Sequence, residues 1–273
     1  MSDIKSQPPS FAELGVAAEI CDGLATRGIT RTFAIQELTL PIALSGQDLI
    51  GQARTGMGKT YGFGVPLLDR VFDDADIDEL DGTPRALVVV PTRELAQQVT
   101  KDLQVAAADI PVRLVSIYGG RPYEEQITKL NKGADVIIGT PGRLIDLHER
   151  GNLQLDRVAI LVLDEADEML DLGFLPDVEN LIGRTPTPRQ TMLFSATMPA
   201  PIMALARSQL NRPVHVRAEG ADTQATVPDT QQFVYQAHPL DKIEIIGRIL
   251  QANDAEKVII FCRTKRACQR LSD

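Results

Sequence analysis

The 273-residue chain contains no tryptophan, and aromatic residues of every kind make up only 4% of it. Aliphatic side chains must therefore supply most of the core, and a hydrophobic content of 44% is ample for that. Basic residues are also short, with 28 Lys and Arg against 37 Asp and Glu, a net charge of −9. That sign excludes holding nucleic acid by bulk attraction, so any such site must be local, built from a few arginines and backbone groups. Cysteine and histidine are scarce. Cys21, Cys262 and Cys268 show neither C-x-x-C spacing nor partnering histidines, which points to reduced thiols in a cytosol-like compartment. His148, His215 and His238 are scattered and read as structural or surface residues. No apolar run approaches a membrane span, and "MSDIKSQPPS" lacks the basic and apolar regions of a signal peptide. The expectation is a cytoplasmic protein with no membrane partner.

What is present is an alternation. Helical patterns over Ala12–Thr26 and Phe33–Leu44 are followed by short apolar runs separated by helix-like segments such as Arg93–Ala107 and Gly142–Glu149. The strand candidates are Asp48–Ile50, Ala86–Val90, Arg113–Ile117, Val136–Ile138, Val158–Leu163, Gln190–Phe194 and Val214–Arg217. Repeated βα units imply an α/β fold with a mainly parallel sheet covered on both faces, whose ligands sit at the carboxyl ends of the strands. Residues 1–10 read as a flexible leader, 11–217 as one domain and 218–229, small and polar with a late proline, as a linker. The acidic stretch Asp73–Gly82 reads as a solvated surface loop. Residues 230–273 read strand ("TQQFVYQA"), helix, strand ("KVIIFC") and the start of another helix, too few elements for a core, and so as the opening of a second domain.

Two motifs carry chemistry. "ARTGMGKT", Ala53 to Thr60, lies between a short strand and a helical pattern, the context of a phosphate-binding loop. Backbone N–H groups of Thr55, Gly56, Met57 and Gly58 would turn toward phosphate oxygens at a helix N-terminus. Lys59 would reach the β- and γ-phosphates and Thr60 would ligate Mg²⁺. Ala53 stands where the G-x-x-x-x-G-K-[ST] pattern has its first glycine. The second motif, "ILVLDEADEMLDLGF", sets Asp164, Glu165, Asp167 and Glu168 directly after an apolar strand. Like charges this close repel, and a metal, a helix start or solvent could each offset them. With the glycine loop upstream, Asp164 becomes a ligand of hydrated Mg²⁺ and Glu165 the group that orients or deprotonates an attacking water. The pairing favours nucleotide hydrolysis.

"DEAD" at Asp164–Asp167, together with "ARTGMGKT", "PTRELA" (Pro91–Ala96), "TPGR" (Thr140–Arg143), "SAT" (Ser195–Thr197) and "VIIFCRTK" (Val258–Lys265), resembles the DEAD-box RNA helicases. The resemblance implies RecA-like domains that close around ATP and single-stranded RNA without reading its sequence. It implies that "GITRTFAIQ" (Gly28–Gln36) is the adenine motif, with Gln36 hydrogen-bonding the base, Arg31 in the same segment and Phe11 stacking on the base. Thr32 and Phe33 replace the family's Pro and Thr/Ser; without the Pro the loop is less fixed, so looser adenine selectivity is expected, with ATP still preferred. The RNA side would comprise Pro91, Thr92, Arg93, Gly119, Gly120, Gln126, Thr140, Pro141, Gly142 and Arg143, donating to phosphates from helix starts and tight turns, with no aromatic platform beside them. Ser195 and Thr197 would bond back to Asp167 and couple the two sides. Glu168 is left as a helix-start or surface carboxylate. The family's arginine fingers are expected outside these residues, so the chain alone should bind nucleotide but scarcely hydrolyse it. A DNA helicase, an ATP-gated RNA clamp and an isolated interaction domain remain as alternatives.

Overall fold

Seven short runs of β-branched and aliphatic residues pair into one sheet. They are β1 (Leu49–Gln52), β2 (Ala86–Val89), β3 (Leu114–Ile117), β4 (Val136–Gly139), β5 (Ile160–Leu163), β6 (Gln190–Ser195) and β7 (Val214–Arg217). All the pairings are parallel, in the order β3-β4-β2-β5-β6-β1-β7. The computed structural model describes residues 7–73, 75, 77, 80–218, 233–238, 241–252 and 258–272. Each of the seven strands expected between residues 48 and 217 forms, with ends displaced by at most two residues. The inner strands are buried along their whole length, which is why they read as unbroken apolar runs.

Successive strand residues point to opposite faces, and the two faces carry separate cores. Ala86, Val88, Ile160, Val162, Met192 and Phe194 belong to one. It is covered by α1 (Ala18–Ala25), α2 (Ala34–Leu44), α3 (Lys59–Asp73) and α4 (Arg93–Ala106). Leu87, Val89, Leu161, Leu163 and Leu193 belong to the other. Its cover is α5 (Tyr123–Asn131), α6 (Pro141–Glu149), α7 (Ala166–Asp171), α8 (Leu175–Gly183) and α9 (Ala200–Gln209). The α/β, parallel-sheet expectation therefore holds.

Three local expectations do not, and that of a solvated acidic loop holds only in part. The helix expected over Ala12–Thr26 is broken: a 3-10 turn at Ala12–Leu14 ends at Gly15, whose φ of 90° is a left-handed stop, and α1 starts afresh at Ala18. The leader is tied down where it is described, because the Pro8 carbonyl accepts from Arg31 and the Pro9 carbonyl from Thr32; residues 1–6 lie outside the described residues. In the acidic stretch, α3 runs on to Asp73, and Asp81 pairs with Arg85 and Arg157 rather than facing water alone. Ala218, the first residue of the expected linker, is buried and extends β7 by bonding to Gln52, while 219–229 are outside the described residues.

The chain divides into two compact units, Met1–Thr223 and Gln224–Asp273. The second contains α10 (Lys242–Ala252) and α11 (Lys265–Ser272). Its two expected strands are absent from the described residues 233–238 and 258–262, where Val234 and Phe261 are 97% and 92% exposed. A β-branched run becomes a strand only when a neighbour completes its ladder, and these two find none among the described residues.

Candidate functional site

Six motif-bearing loops leave the carboxyl ends of the strands, and the strand order sorts them into two groups. Those after β1, β5 and β6 carry the glycine-rich turn, the carboxylates and "SAT"; those after β3, β4 and β2 carry the arginine and glycine motifs. The boundary falls between β2 and β5, which are hydrogen-bonded neighbours.

In the glycine-rich turn, Gly56 and Gly58 both have φ of 84°, a region from which a side chain would be excluded at little gain. A Cβ on Gly56 would meet nothing within 4 Å, so the turn is open there. Ala53, where the motif has glycine, is buried, is not among the positive-φ residues, and donates its N–H to the Ser195 carbonyl, so the methyl group adds no strain. Lys59, 5% exposed, opens α3 and donates to the Ala53 carbonyl at 3.0 Å and to Glu165 Oε2 at 2.8 Å. Thr55 donates to Glu165 Oε1 at 3.4 Å, and Thr60 follows Lys59 in the first turn of the helix. The lysine of the turn and the glutamate after β5 are thus brought together.

Asp164 is 2% exposed, and burial, followed by repulsion from Glu165, pushes its carboxyl up to about 7. It accepts the N–H of Glu165 at 3.0 Å. Glu165 itself has φ 50° and ψ 53°, left-handed geometry that costs a non-glycine residue about 1–3 kcal/mol and that the spacing of residues does not reveal. The kink turns the Glu165 side chain toward Lys59 while α7 departs. Glu168 is exposed in the first turn of α7, and partial burial with Glu165 nearby raises its carboxyl.

Asp167 is joined to the loop after β6. Its Oδ2 accepts the N–H and the hydroxyl of Thr197, both at 2.8 Å. Its own N–H donates to Ser195 Oγ at 3.2 Å, and the Ser195 hydroxyl donates to the Thr197 carbonyl at 2.7 Å. Ser195 Oγ thus accepts from the Asp167 backbone and also hydrogen-bonds its carboxylate, in keeping with the expectation that Ser195 and Thr197 bond back to Asp167. Burial pushes the Asp167 carboxyl up, but the hydrogen bonds from this loop outweigh it and hold the group below the ordinary value.

The adenine motif departs from expectation in several ways. Gln36 is buried at the start of α2, with Oε1 accepting the Phe33 N–H at 2.8 Å and Nε2 donating to the Gly58 carbonyl at 2.9 Å. Its amide thus fastens α2 to the glycine-rich turn. Phe11, expected as a stacking ring, is 2% exposed and belongs to the core. Arg31 faces the leader, donating to Pro8 and lying 3.7 Å from Glu13. Thr32 does not loosen the segment: its N–H and hydroxyl both donate to the Pro9 carbonyl, at 3.0 and 2.9 Å, and the N–H bond is one that proline lacks.

Across the boundary, Pro91 is buried and Thr92 caps α4, its hydroxyl accepting the Leu95 N–H at 3.2 Å. Arg93 is exposed beside Gly120 and paired with Glu94. Gly119 and Gly120 are exposed, the latter with φ of 81°. Thr140 and Pro141 start α6, Pro141 buried and Gly142 exposed. Gln126 faces inward: it accepts the Tyr118 N–H at 3.1 Å and donates to the Pro122 carbonyl, so it shapes the turn instead of facing a ligand. Arg143 donates to the Arg121 carbonyl at 3.0 Å and lies 4.0 Å above the Tyr123 ring, with Arg150 at 4.5 Å from the same ring. An aromatic thus does stand beside these loops, contrary to expectation, although arginines occupy it. Arg143 in α6 and Arg150 at its C-cap are seven apart, but only the β3–β4 adjacency brings Tyr123 to them.

Residues 33–205 match the family model described as DEAD/DEAH box helicase. The chain is 43% identical over 264 residues to the DEAD-box ATP-dependent RNA helicase CshA of Geobacillus kaustophilus, covering 97% of this chain and 55% of that protein. It is 42% identical over 262 residues to DEAD-box ATP-dependent RNA helicase 9 of Oryza sativa, covering 96% and 41%. The crystal structure of a DEAD box protein from Methanococcus jannaschii is similar with a TM-score of 0.72 and 32% identity, over 98% of this chain and 70% of that one. The chain spans about half the length of the curated relatives it matches. With the motifs gathered on one edge of a parallel sheet and that match across 33–205, the chain belongs to the DEAD/DEAH box helicase family.

Proposed function

We propose that the chain is the nucleotide-binding and part of the RNA-binding machinery of an ATP-dependent RNA helicase. The whole protein would hydrolyse ATP to ADP and phosphate while separating RNA strands locally or remodelling ribonucleoprotein. The observation that carries this reading is the junction at the end of β5. There Glu165 grips Lys59 of the glycine-rich turn while Asp167, two residues on, grips Thr197.

The chain's own groups account for most of the binding. The turn Thr55–Gly58, open at Gly56 and set at the positive end of α3, suits a triphosphate. Lys59 would exchange Glu165 for a phosphate oxygen, freeing the carboxylate to orient or deprotonate a water. Among the described residues no group of three or more His, Cys, Asp or Glu forms a metal cage. Mg²⁺ needs none, because it keeps its water and takes one or two protein ligands; buried Asp164 with Thr60 fits that requirement. Mg²⁺, when bound, would neutralise phosphate charge. Arg93, Arg143, Thr92, Thr140 and the exposed glycines 119, 120 and 142 would hold a single RNA strand by its backbone, independently of sequence. The three free thiols support a cytoplasmic compartment.

The test is steady-state ATPase of the whole protein with and without RNA. RNA should stimulate turnover, Lys59→Ala should abolish it, and Arg93→Ala with Arg143→Ala should raise the RNA concentration needed. Turnover indifferent to RNA, or stimulated equally by DNA, would overturn the reading.

A further inference from the structure

The nucleotide and RNA readings use the carboxyl ends of the strands and nothing at the amino ends. There, beside the neighbouring strands β5, β6, β1 and β7, lies a cavity of about 680 Å³, within the range of small-molecule sites. Three arginines line it, Arg70 from α3, Arg189 before β6 and Arg212 before β7, against one carboxylate, Asp48 before β1. Asp48 is committed to the backbone: its Oδ1 accepts the Thr191 N–H at 2.7 Å and its Oδ2 the Asn211 N–H at 2.6 Å. It attracts Arg189, but burial outweighs that attraction and pulls the guanidinium below its ordinary value. Arg189 donates to the Pro186 carbonyl at 3.0 Å, while its buried Nε has no acceptor among the described residues. A buried donor without an acceptor costs about 1–3 kcal/mol. Arg70 is set in place by Gln190 Oε1 at 2.6 Å, and Gly46 lets its guanidinium come close, since a Cβ there would lie 3.3 Å from Nη2. Gln190 is fixed in turn by donating to the Ala43 and Gln47 carbonyls. Arg212 has φ of 46°; among the described residues the other non-glycine residue with positive φ is Glu165, beside the phosphate-binding lysine. Such strain persists where neighbouring bonds over-determine it, here through Asn211 on Asp48.

We propose that this cavity is a second ligand site, which takes the phosphoryl group of a small phosphate monoester. Near neutral pH that group approaches a dianion and offers three strong acceptor oxygens. Guanidinium forks arriving from three separate elements match it, and its charge offsets the excess of arginines over Asp48. A monocarboxylate brings less charge and fewer acceptors. The volume leaves room beyond the phosphoryl group for the body of the ester, against Ile77, Ala159 and Pro188. Because β1 and β6 run from this cavity to the glycine-rich turn and to "SAT", the occupant sits at the roots of both.

The experiment titrates phenyl phosphate calorimetrically into the 273-residue chain carrying Lys59→Ala, with benzoate as a monocarboxylate of similar size. Lys59→Ala removes the lysine of the glycine-rich turn, so binding that remains belongs elsewhere. Phenyl phosphate should still bind, and benzoate should bind less tightly. Adding Arg189→Gln should weaken phenyl phosphate by roughly 10- to 150-fold. Arg189 is half-buried, so exposed Arg212 supplies the variant least exposed to folding defects. Adding Arg212→Ala should weaken phenyl phosphate by roughly 3- to 10-fold with the melting temperature unchanged. With Lys59 intact, Arg212→Ala should leave MgATP binding as it was. Absence of phenyl phosphate binding to the Lys59→Ala chain overturns the proposal and leaves the nucleotide reading standing. So does an affinity that Arg212→Ala does not change, or benzoate binding as tightly, which would make the cavity an apolar slot.

Discussion

Glu165→Gln should make the protein less stable and yet bind ATP more tightly. Lys59 and Glu165 are 5% and 12% exposed and 2.8 Å apart. At an effective dielectric constant of ~20, unit charges at that separation attract by about 6 kcal/mol, an upper bound on the pair. Glutamine keeps the shape and a weaker hydrogen bond, and Lys59 retains the Ala53 carbonyl at 3.0 Å. Asp164 also responds: its carboxyl stands at about 7 through burial and then Glu165 repulsion, so losing the Glu165 charge favours its ionised form near the lysine. These compensations leave a net loss of about 1–3 kcal/mol, the scale of a charge-assisted hydrogen bond. For a unit of this size that lowers the melting temperature by roughly 2–10 °C.

The same free energy acts in reverse on binding. A triphosphate must take Lys59 from Glu165 and approach a carboxylate, and Glu165→Gln removes both obstacles. ATP affinity of the variant should rise roughly 5- to 150-fold by calorimetry. Lys59→Ala supplies the control, because without the lysine the gain should shrink to the repulsion alone. An equal gain in both backgrounds, or no gain with Lys59 intact, would refute the claim that the free protein locks its phosphate-binding lysine.

Thr32→Pro restores the family residue but removes the N–H and hydroxyl donors to Pro9, so it should destabilise by about 1–3 kcal/mol in urea titration, whereas Thr32→Ser should be near neutral. Tyr123→Ala removes the ring that Arg143 stands on and should weaken RNA binding roughly two- to fivefold while leaving ATP binding unchanged. Thr197→Ala should cost about 1–2 kcal/mol at neutral pH, a value discounted because Asp167 is half-exposed. Since Asp167 is held below its ordinary value, its stabilising contribution is full above the unfolded pKa and lost as pH falls through the folded one. The difference between Thr197→Ala and the unsubstituted protein in thermal melts should therefore narrow on acidification; a difference that widens would count against the bond.

Much of this molecule can be read before folding it. Parallel strands buried on both faces must be apolar throughout, so Ala86–Val89 and Ile160–Leu163 announce themselves. Residues that share a turn are legible too, since Thr55–Lys59 and Asp164–Asp167 owe their chemistry to local spacing. What is not legible depends on which strand ends become neighbours. Gln126 turns inward because the Tyr118 N–H at the end of β3 is left for it. Tyr123 meets Arg143 only because β3 lies beside β4. Phe11 is taken by the core, a competition that no motif encodes. The left-handed Glu165 is invisible for another reason: its strain is offset by contacts with Lys59 and Thr55 more than a hundred residues away. The described residues 233–238 and 258–262, which form no strand, show the converse, local propensity without a ladder.

If the proposed nucleotide and RNA sites are right, the bonds at the end of β5 would link them without a large movement. Asp167 and Thr197 are joined by two bonds at 2.8 Å, and Ser195 closes the ring by accepting from Asp167 and donating to the Thr197 carbonyl. The Ser195 carbonyl accepts the N–H of Ala53 at the base of the glycine-rich turn, and the Asp164 N–H donates to Val89, next to the Pro91–Arg93 loop. Lys59 leaving Glu165 therefore disturbs a segment pinned on one side to the turn and on the other to the strand that leads into the arginine loops. The four clustered carboxylates part company in the structure: Glu165 pairs with Lys59 of the glycine-rich turn beside buried Asp164, Asp167 bonds to the loop after β6, and Glu168 is exposed.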